Sequence, residues 1–237
     1  MTGTDTRTTT AGRPGRQRNR RGEGFRLRDD IIAGATAVLG DTGSEDAVTL
    51  RAIARHIGVA APSVARHFPD RTAIIDAVVA EQLAVLHDQL LAAANAAAEP
   101  VARLYALCHA YTSYARAHPA RYRILVGRRF VEDWDTQNRV MEQTAPLMAA
   151  AIGLVSDTIQ ACIDTGASTS TDAHLDTTIL WFALHGLITI PQAITSLTWP
   201  DFDDLLATCI TRTVGLHTTP TATPRPPPAD NPTPPTP

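Results

Sequence analysis

The sequence predicts an all-α fold, and three observations support that prediction. Away from its two ends, the chain contains no run of alternating apolar and polar residues bounded by turn signals. Apolar residues recur instead at spacings of three and four, which is the period of an amphipathic helix. Pro119, Pro146 and Pro191 occupy places where a helix would begin, bend or end.

The first predicted helix spans about 27–40, because Ile31, Ala35 and Leu39 fall on one apolar stripe with Ile32 and Val38 beside them. A second helix begins after Thr49, a good N-cap residue, and ends near Gly58. A third runs from about Ala60 to His67 with Pro62 in its first turn, and Asp70 caps a fourth over 71–97. Further helices are predicted at about 100–117, 119–128, 135–164, 172–196 and 201–214.

Composition limits the classes of function that the chain can serve. Its 237 residues suit one large domain or two small ones, and 44 % apolar against 19 % charged residues is typical of a soluble globular chain. No stretch reaches the roughly 18 consecutive apolar residues of a membrane span. The first residues lack the apolar segment of a secretory signal. We therefore expect a cytoplasmic protein with no membrane partner.

The reactive residue types form no recognisable catalytic or metal site. Cys108, Cys162 and Cys209 are far apart, and the sequence has no CxxC pair. The histidines show no metal-ligand spacing, and GxSxG, HExxH, P-loop and GxGxxG motifs are absent from the sequence. The sequence thus predicts no catalytic residue, no metal and no cofactor, and a small helical enzyme is a disfavoured alternative.

Charge is distributed unevenly along the chain. Residues 1–71 contain 12 arginines and 8 acidic residues, a net charge of +4, whereas residues 72–237 contain 9 arginines and 16 acidic residues, a net charge of −7. A basic head on an acidic body indicates that the head alone meets a polyanion.

The segment 49–68 contains the strongest local signal, two short helices joined by a tight turn. Ile53, Ile57, Val64 and Phe68 are spaced to bury against one another, and Gly58 can adopt a left-handed backbone in the turn. This pattern is typical of a helix-turn-helix, whose second helix enters the major groove of DNA. A plain helical hairpin with a solvated polar face is the alternative, but the arginines before it and the acidic chain after it favour DNA binding.

Small and polar residues form the outward face of the second short helix, which allows close approach to base edges. Ser63 and Arg66 are the candidates for hydrogen bonds to bases or phosphates, and Thr49 and Arg51 begin the preceding helix where N–H groups suit a phosphate. Arginines of the arm 13–28 would add salt-dependent affinity, unless the arm is only a solvated tail. The candidate DNA-binding residues are Arg20, Arg21, Arg26, Arg28, Thr49, Arg51, Ala60, Ala61, Pro62, Ser63, Arg66, His67 and Arg71.

Residues 27–75 resemble the DNA-binding domain of the TetR family of transcriptional regulators. The resemblance implies an all-helical homodimer that binds a palindromic double-stranded DNA operator and senses a ligand through its C-terminal domain. The chain departs from the family at Ala65, where members usually have an aromatic residue, most often a Tyr that commonly touches the phosphate backbone. The matching pattern is Thr49-Leu50-Arg51-x-Ile53-Ala54, Gly58-Val59-Ala60-Ala61-Pro62-Ser63-Val64, Arg66-His67-Phe68 and Asp70-Arg71 before Ile74-Ile75.

Two segments of the body resemble one TetR subfamily that has a Trp-His-Gly signature. Trp181 and His185 lie four residues apart on one helix face, so they form either a pocket wall with a polar handle or part of a packed core or dimer seam. The two segments are Trp181-Phe182-Ala183-Leu184-His185-Gly186 and Tyr114-Ala115-x-x-His118-Pro119-x-x-Tyr122. The candidate ligand-binding residues are Tyr105, Cys108, Tyr111, Trp134, Met141, Trp181 and His185, with His109 and Tyr114 as further polar candidates.

These features divide the chain into four segments. We expect a disordered Arg-rich arm over 1–24, a three-helix DNA-binding domain with the helix-turn-helix over 25–71, a helical-bundle ligand and dimerisation domain over 72–215, and a disordered Pro-rich tail over 216–237. The function predicted from them is a repressor that an unidentified, largely apolar small molecule releases from DNA. An activator and a ligand-independent DNA-binding protein are the alternatives.

Overall fold

The computed structural model describes residues 24–127 and 134–217, and that part of the chain is all-helical. The N-terminal arm and the C-terminal tail predicted from the sequence lie almost entirely outside the described residues. A single turn of 3-10 helix, Glu45–Ala47, precedes the second helix. The α-helices are α1 Gly24–Thr42, α2 Leu50–Ile57, α3 Ala61–Ala65, α4 Arg71–Ala96, α5 Pro100–Ala117, α6 Pro119–Gly127, α7 Trp134–Asp164, α8 Ala173–Ala193 and α9 Phe202–Val214.

The predicted all-α class is confirmed, and the bounds of most helices differ from the prediction by one to three residues. The third helix ends at Ala65 rather than His67, because the His67 N–H turns back to the Val64 carbonyl at 3.0 Å and starts the turn before Pro69. The helix α8 ends at Ala193, soon after Pro191, and not at Ser196. The 3-10 turn was not predicted.

The chain divides into two compact units, residues 1–80 and 81–237. The predicted domain boundary at 71/72 coincides with the start of α4, whereas the units divide inside that helix. The first turns of α4 belong to the first unit, and Ile74, Ile75, Val78 and Val79 are buried there.

The core of the first unit comes largely from the predicted apolar positions, although Ile57 is only half-buried. The stripe of α1 is buried, as are Ile53 of α2 and Val64 of α3. The helices α1 and α2 approach closely at Gly34, where an added Cβ would lie 2.5 Å from Cγ2 of Ile57. The orientation of the helix-turn-helix therefore depends on a glycine contact as well as on apolar burial.

The second unit packs α5, α7, α8 and α9 around one apolar core, with Leu104, Ile159, Leu180 and Leu206 among its most buried members. Its end is fastened where the residues after α9 meet the turn between α7 and α8. There the Thr169 N–H donates to the Gly215 carbonyl at 2.9 Å, and the His217 N–H donates to the Ala167 carbonyl at 3.1 Å.

Two segments of this unit, Thr144–Asp164 and Ala173–Ala193, are long and apolar enough to span a membrane by length and composition alone. Each also contributes buried residues to the core, such as Ile159 and Leu180. Core helices of soluble proteins pass the same length and composition test, so these helices are weak evidence for a membrane span. The absence of a membrane partner stays a prediction.

Candidate functional site

Local features mark both ends of α2 and the start of α3 in the helix-turn-helix. The Thr49 side chain caps α2 by accepting from the Ala52 N–H at 3.1 Å. Gly58 ends α2 in the left-handed region at φ 72°, a conformation that costs glycine little. Pro62 occupies the first turn of α3, where no backbone N–H is needed. The predicted cap, turn and proline are all present.

The predicted outward face of α3 is accessible. Arg66 is exposed and Ser63 is half-buried, and the Arg66 guanidinium donates to the Ser63 hydroxyl at 3.2 Å. The structure thus brings together the two residues that the sequence assigned to hydrogen bonding. Of the remaining candidates on this face, Ala60 and Pro62 are exposed and Ala61 and His67 are half-buried.

The candidates on α1 and α2 are exposed as well. Thr49 uses its hydroxyl oxygen as an acceptor for the helix cap, which leaves the hydroxyl proton to be donated elsewhere. Arg51 is exposed in the first turn of α2, two residues after that cap. Arg26 is exposed, and the Arg28 guanidinium lies 4.9 Å from the centre of the Phe68 ring, within range of a cation–π contact. Arg20 and Arg21 lie outside the described residues.

Arg71 has a role inside the first unit that the sequence did not indicate. Its Nε donates to the Val48 carbonyl at 3.1 Å, and its Nη2 lies 3.3 Å from Asp46 and 3.6 Å from Glu45. These contacts tie the 3-10 turn to the start of α4. A phosphate contact by Arg71 would compete with this arrangement.

The second unit contains a cavity of about 90 Å³, several times what one water molecule needs. Five helices, α4 to α8, supply its lining residues. Leu83, Leu86 and Leu90 of α4 form one wall at spacings of three and four, and Leu180 and Leu184 of α8 face it. The side chains that α7 contributes are Met148, Ala151, Ile152 and Val155.

The structure brings together four of the seven predicted ligand-binding residues. Cys108, Tyr111, Trp181 and His185 all line the cavity. Tyr105 does not, because its hydroxyl is turned toward α9 and lies 2.7 Å from Oγ1 of Thr211. The side chains of the last two predicted residues, Trp134 and Met141, lie outside the described part of the chain.

The two further polar candidates on α5 are placed elsewhere. His109 is exposed. Tyr114 is buried and donates to Oε1 of Gln82 at 3.2 Å, outside the cavity lining. Burial raises the pKa of Tyr114 to about 12.

Polar atoms at one corner of the cavity form a cluster of Tyr111, Tyr122 and His185. The Tyr111 hydroxyl lies 2.9 Å from Nδ1 of His185 and 3.1 Å from the Tyr122 hydroxyl. The Tyr122 hydroxyl also hydrogen-bonds Nδ1 of His185. Trp181 packs beside this cluster, with its ring centre 4.9 Å from that of His185.

Burial keeps two ionisable side chains in this region, Tyr122 and Cys108, in their neutral forms. Burial, with a smaller contribution from Tyr111, raises the pKa of Tyr122 above its ordinary value, so its phenol keeps its proton. Burial also raises the pKa of the Cys108 thiol, which makes this residue an apolar wall rather than a nucleophile. Within the described residues, no group of three His, Cys, Asp or Glu side chains could hold a metal ion.

The sequence analysis missed Tyr122 as a member of the polar cluster, and it missed the aliphatic residues that line the cavity. The leucines recur at spacings of three and four, as on any core helix. This spacing is the same whether the helix lines a cavity or packs in a filled core, so the sequence does not distinguish the two. Tyr122 did belong to the subfamily pattern, but its partners are Tyr111 on the preceding helix and His185, which comes 63 residues later in the sequence.

Two family profiles match the sequence at these two units. Residues 31–78 match the bacterial regulatory proteins of the tetR family, and residues 104–212 match the tetracyclin repressor-like C-terminal domain. The chain belongs to the TetR family of transcriptional regulators. It is accordingly a DNA-binding regulator, and members of this family are not enzymes.

Solved structures with a similar fold cover most of this TetR-family chain. A protein of unknown function from a Rhodococcus species has a TM-score of 0.69 and 25 % identity over 81 % of this chain and 96 % of its own. A bacterial regulatory protein in the tetR family from Rhodococcus has a TM-score of 0.60 and 19 % identity, over 81 % of this chain and 98 % of its own. The transcriptional regulator FadR from Bacillus subtilis, in complex with stearoyl-CoA, has a TM-score of 0.63 and 13 % identity, over 80 % of this chain and 99 % of its own. No curated protein sequence matches the chain.

Proposed function

We propose that this TetR-family protein is a repressor that binds a palindromic operator as a homodimer and is released by a small, largely apolar effector. The observation that carries the proposal is the apolar cavity with one polar corner, present in the same chain as a helix-turn-helix. A cavity of this kind is the default site for a small ligand in an all-helical domain. The effector must bind the DNA-free state more tightly than the DNA-bound state, because otherwise it shifts no equilibrium.

We propose that the outward face of α3 reads the DNA. Arg66 and Ser63 are its polar members, and their mutual hydrogen bond is weak enough to exchange for a base or phosphate contact. Thr49 and Arg51 would contact a phosphate at the start of α2. The net charge of +4 over residues 1–71 supports this assignment of the polyanion to the first unit. The arm, with Arg20 and Arg21, would add to it.

The proposed dimer uses the outer face of α8. Leu175, Ile179, Phe182 and Ile190 are exposed at spacings of four, three and eight, with Phe182 61 % exposed. Gly186 lies in the same row and has no side chain, and an added Cβ would meet only Cδ1 of Ile190 at 3.7 Å, so a partner helix could approach closely. In a homodimer these residues would meet their two-fold copies, which sets two reading helices one DNA turn apart, roughly 34–36 Å.

Two finer assignments also belong to this proposal. The Trp181, His185 and Gly186 signature supports placing the C-terminal domain in the Trp-His-Gly subfamily. The FadR structure shows stearoyl-CoA bound to a protein of similar fold, which supports a lipid-like, apolar effector in general. A regulator of this kind acts in the cytoplasm, where the chromosome is.

A gel-shift titration with the promoters of its own and neighbouring genes tests the proposal. Arg66→Ala is expected to weaken operator binding by roughly tenfold or more, because one side-chain contact to a base is worth about 1–3 kcal/mol. Arg55→Ala is the matched control, since it removes an exposed arginine from α2, outside the proposed reading face. Equal losses in both variants would show that only overall charge matters and would contradict the assignment of α3.

Candidate effectors added to the same assay separate the mechanisms. Release of the protein from DNA supports repression relieved by a ligand. Tighter binding in the presence of a ligand points to an activator or a corepressor-dependent protein. Operator binding that no cavity ligand alters would favour a ligand-independent DNA-binding protein.

A further inference from the structure

The cavity in the second unit has a lining whose chemistry restricts what can bind there. None of the residues that line it within the described chain is Asp, Glu or Arg, and its walls are mostly leucine, valine, isoleucine, alanine, methionine, cysteine and tryptophan. Thr177 also lines it, but its hydroxyl already donates to the Ala173 carbonyl at 2.6 Å. A charged group placed among them would lose its hydration without gaining a partner of opposite charge. The walls therefore favour an uncharged molecule.

The polar corner of the cavity is a small network that can adapt its proton positions. Tyr111 and His185 line the cavity, while Tyr122 lies behind them, buried, and hydrogen-bonds both. A tyrosine hydroxyl can donate one hydrogen bond and accept others, and a neutral imidazole has one donor and one acceptor nitrogen. By turning its hydroxyl protons, the network can meet either a carbonyl oxygen or a hydroxyl group.

Tyr122 acts on this network from behind as a positioning residue. Its phenol stays protonated in its buried place, and its hydroxyl touches both other members of the cluster. The Tyr122 and His185 rings are 5.7 Å apart, and the Tyr111 and Tyr122 rings are 6.0 Å apart with an interplanar angle of 80°. The position of the His185 ring is therefore fixed by packing as well as by hydrogen bonds.

We propose that the effector is an uncharged, mostly apolar molecule whose single hydrogen-bonding oxygen, a hydroxyl or a ketone, is anchored by Tyr111 and His185. This inference rests on the proposed function and narrows it. It separates this protein from FadR of Bacillus subtilis, whose structure holds stearoyl-CoA, because the phosphates of a coenzyme A thioester carry several negative charges.

A matched set of eight-carbon probes tests the inference on the full-length protein. Octane, 1-octanol, 2-octanone, octanoate and octanoyl-CoA share a chain length and differ in their polar group. Isothermal titration calorimetry is expected to show the alcohol and the ketone binding roughly five- to tenfold more tightly than octane, as one added hydrogen bond allows. Octanoate and octanoyl-CoA are expected to bind more weakly than either neutral polar probe.

The variant Tyr111→Phe removes the anchoring hydroxyl and keeps the ring. It is expected to weaken 1-octanol and 2-octanone by roughly five- to tenfold and to leave octane unchanged, because octane makes no hydrogen bond. Tyr105→Phe is the matched control, since it makes the same change on the same helix at a hydroxyl that bonds Thr211 and does not line the cavity. Equal loss of octane and octanol affinity in Tyr111→Phe would show a packing effect and overturn the proposed anchor.

The remaining outcomes also decide the question. Tighter binding of octanoate or octanoyl-CoA than of both neutral polar probes overturns the inference, and so does the failure of all five probes to bind. Release of operator DNA by a charged effector would leave the repressor proposal standing and refute only this ligand class. A protein that binds no operator in the gel-shift assay would refute the proposed function instead.

Discussion

The two units of this TetR-family protein are built for recognition in opposite ways. In the first unit the proposed reading surface comes from one continuous segment, 49–68, and its polar residues are exposed or half-buried. In the second unit the cavity lining extends from Leu83 to His185 and draws on five helices. A surface site can lose a side chain without disturbing the core, whereas each cavity residue both binds and packs.

The largest difference between the units is expected at alkaline pH. All four tyrosines of the chain lie in the second unit. Burial raises the pKa of Tyr105 and Tyr122 above 10.0 and that of Tyr114 to about 12. A pKa raised in the folded state gives stability that is complete below the unfolded pKa near 10 and is lost as the pH rises through the folded pKa. The second unit should therefore lose stability as the pH rises above 10, whereas the first unit, which has no tyrosine, should not lose stability by this route.

Methyl NMR can follow the two units separately during such a titration. Ile31 and Ile53 report on the first unit, and Ile159 and Ile210 report on the second. The Tyr114→Phe variant is expected to lose less stability than the parent between pH 10 and 12, because it has one titrating phenol fewer. Loss of both sets of methyl signals at the same pH would contradict the separation.

The next largest effect is expected from one added carbon in the first unit. Gly34→Ala would place a Cβ 2.5 Å from Cγ2 of Ile57, so either the Ile57 side chain or the two helices must shift. Such overpacking costs about 1–3 kcal/mol in unfolding free energy, which urea titration measures. Gly40→Ala on the same helix meets nothing within 4 Å and should stabilise by about 0.5–1 kcal/mol. Equal responses of the two variants would show that the helices are not in close contact.

An added side chain in the second unit should have the opposite effect. Ala151 lines the cavity, and Ala151→Leu fills part of it, so the unfolding free energy should rise by about 0.5–2 kcal/mol. The same variant should lose its calorimetric response to 2-octanone. Ala149→Leu is the control, because Ala149 is exposed on the same helix. A destabilised Ala151→Leu protein that still binds 2-octanone would show that the ketone does not bind in this cavity.

The smallest effect is expected where this chain departs from its family. Ala65 is exposed at the end of α3, where family members usually have a Tyr. Ala65→Tyr should tighten operator binding about two- to tenfold by adding one hydrogen bond to a phosphate, as measured by gel shift. Ala65→Phe supplies the ring without the hydroxyl. If both variants bind alike, the gain comes from ring contact rather than from the hydrogen bond.

Most of the helices could be predicted because their signals are local. Thr49 caps the start of α2, Gly58 forms the turn at its end, and Pro62 lies in the first turn of α3. Each signal lies at the helix end that it marks. The 3-10 turn was missed because its main tie is Arg71, which comes more than 20 residues later in the sequence. An exposed-looking arginine near a DNA-binding motif gives no local sign that it serves the fold.

The cavity was less predictable because it depends on how helices face one another. Tyr105 and Tyr111 lie six residues apart on α5, about 120° apart around its axis, yet only Tyr111 reaches the cavity. The packing of α7, α8 and α9 against α5 decides which face of α5 lines the cavity. The residue spacing within α5 does not indicate this face. The sequence therefore indicated the aromatic and polar candidates but could not separate lining from core.

The helix α8 has two faces with different proposed roles, one in the cavity and one in the dimer. Its inner side presents Trp181 and His185 to the cavity, while its outer side presents Ile179 and Phe182 for the proposed dimer. In the proposed dimer, a molecule that displaces this helix when it binds would also disturb the contacts between protomers. Two effector sites in one dimer would then be coupled, so effector titrations should be sigmoidal, with a Hill coefficient between about one and two.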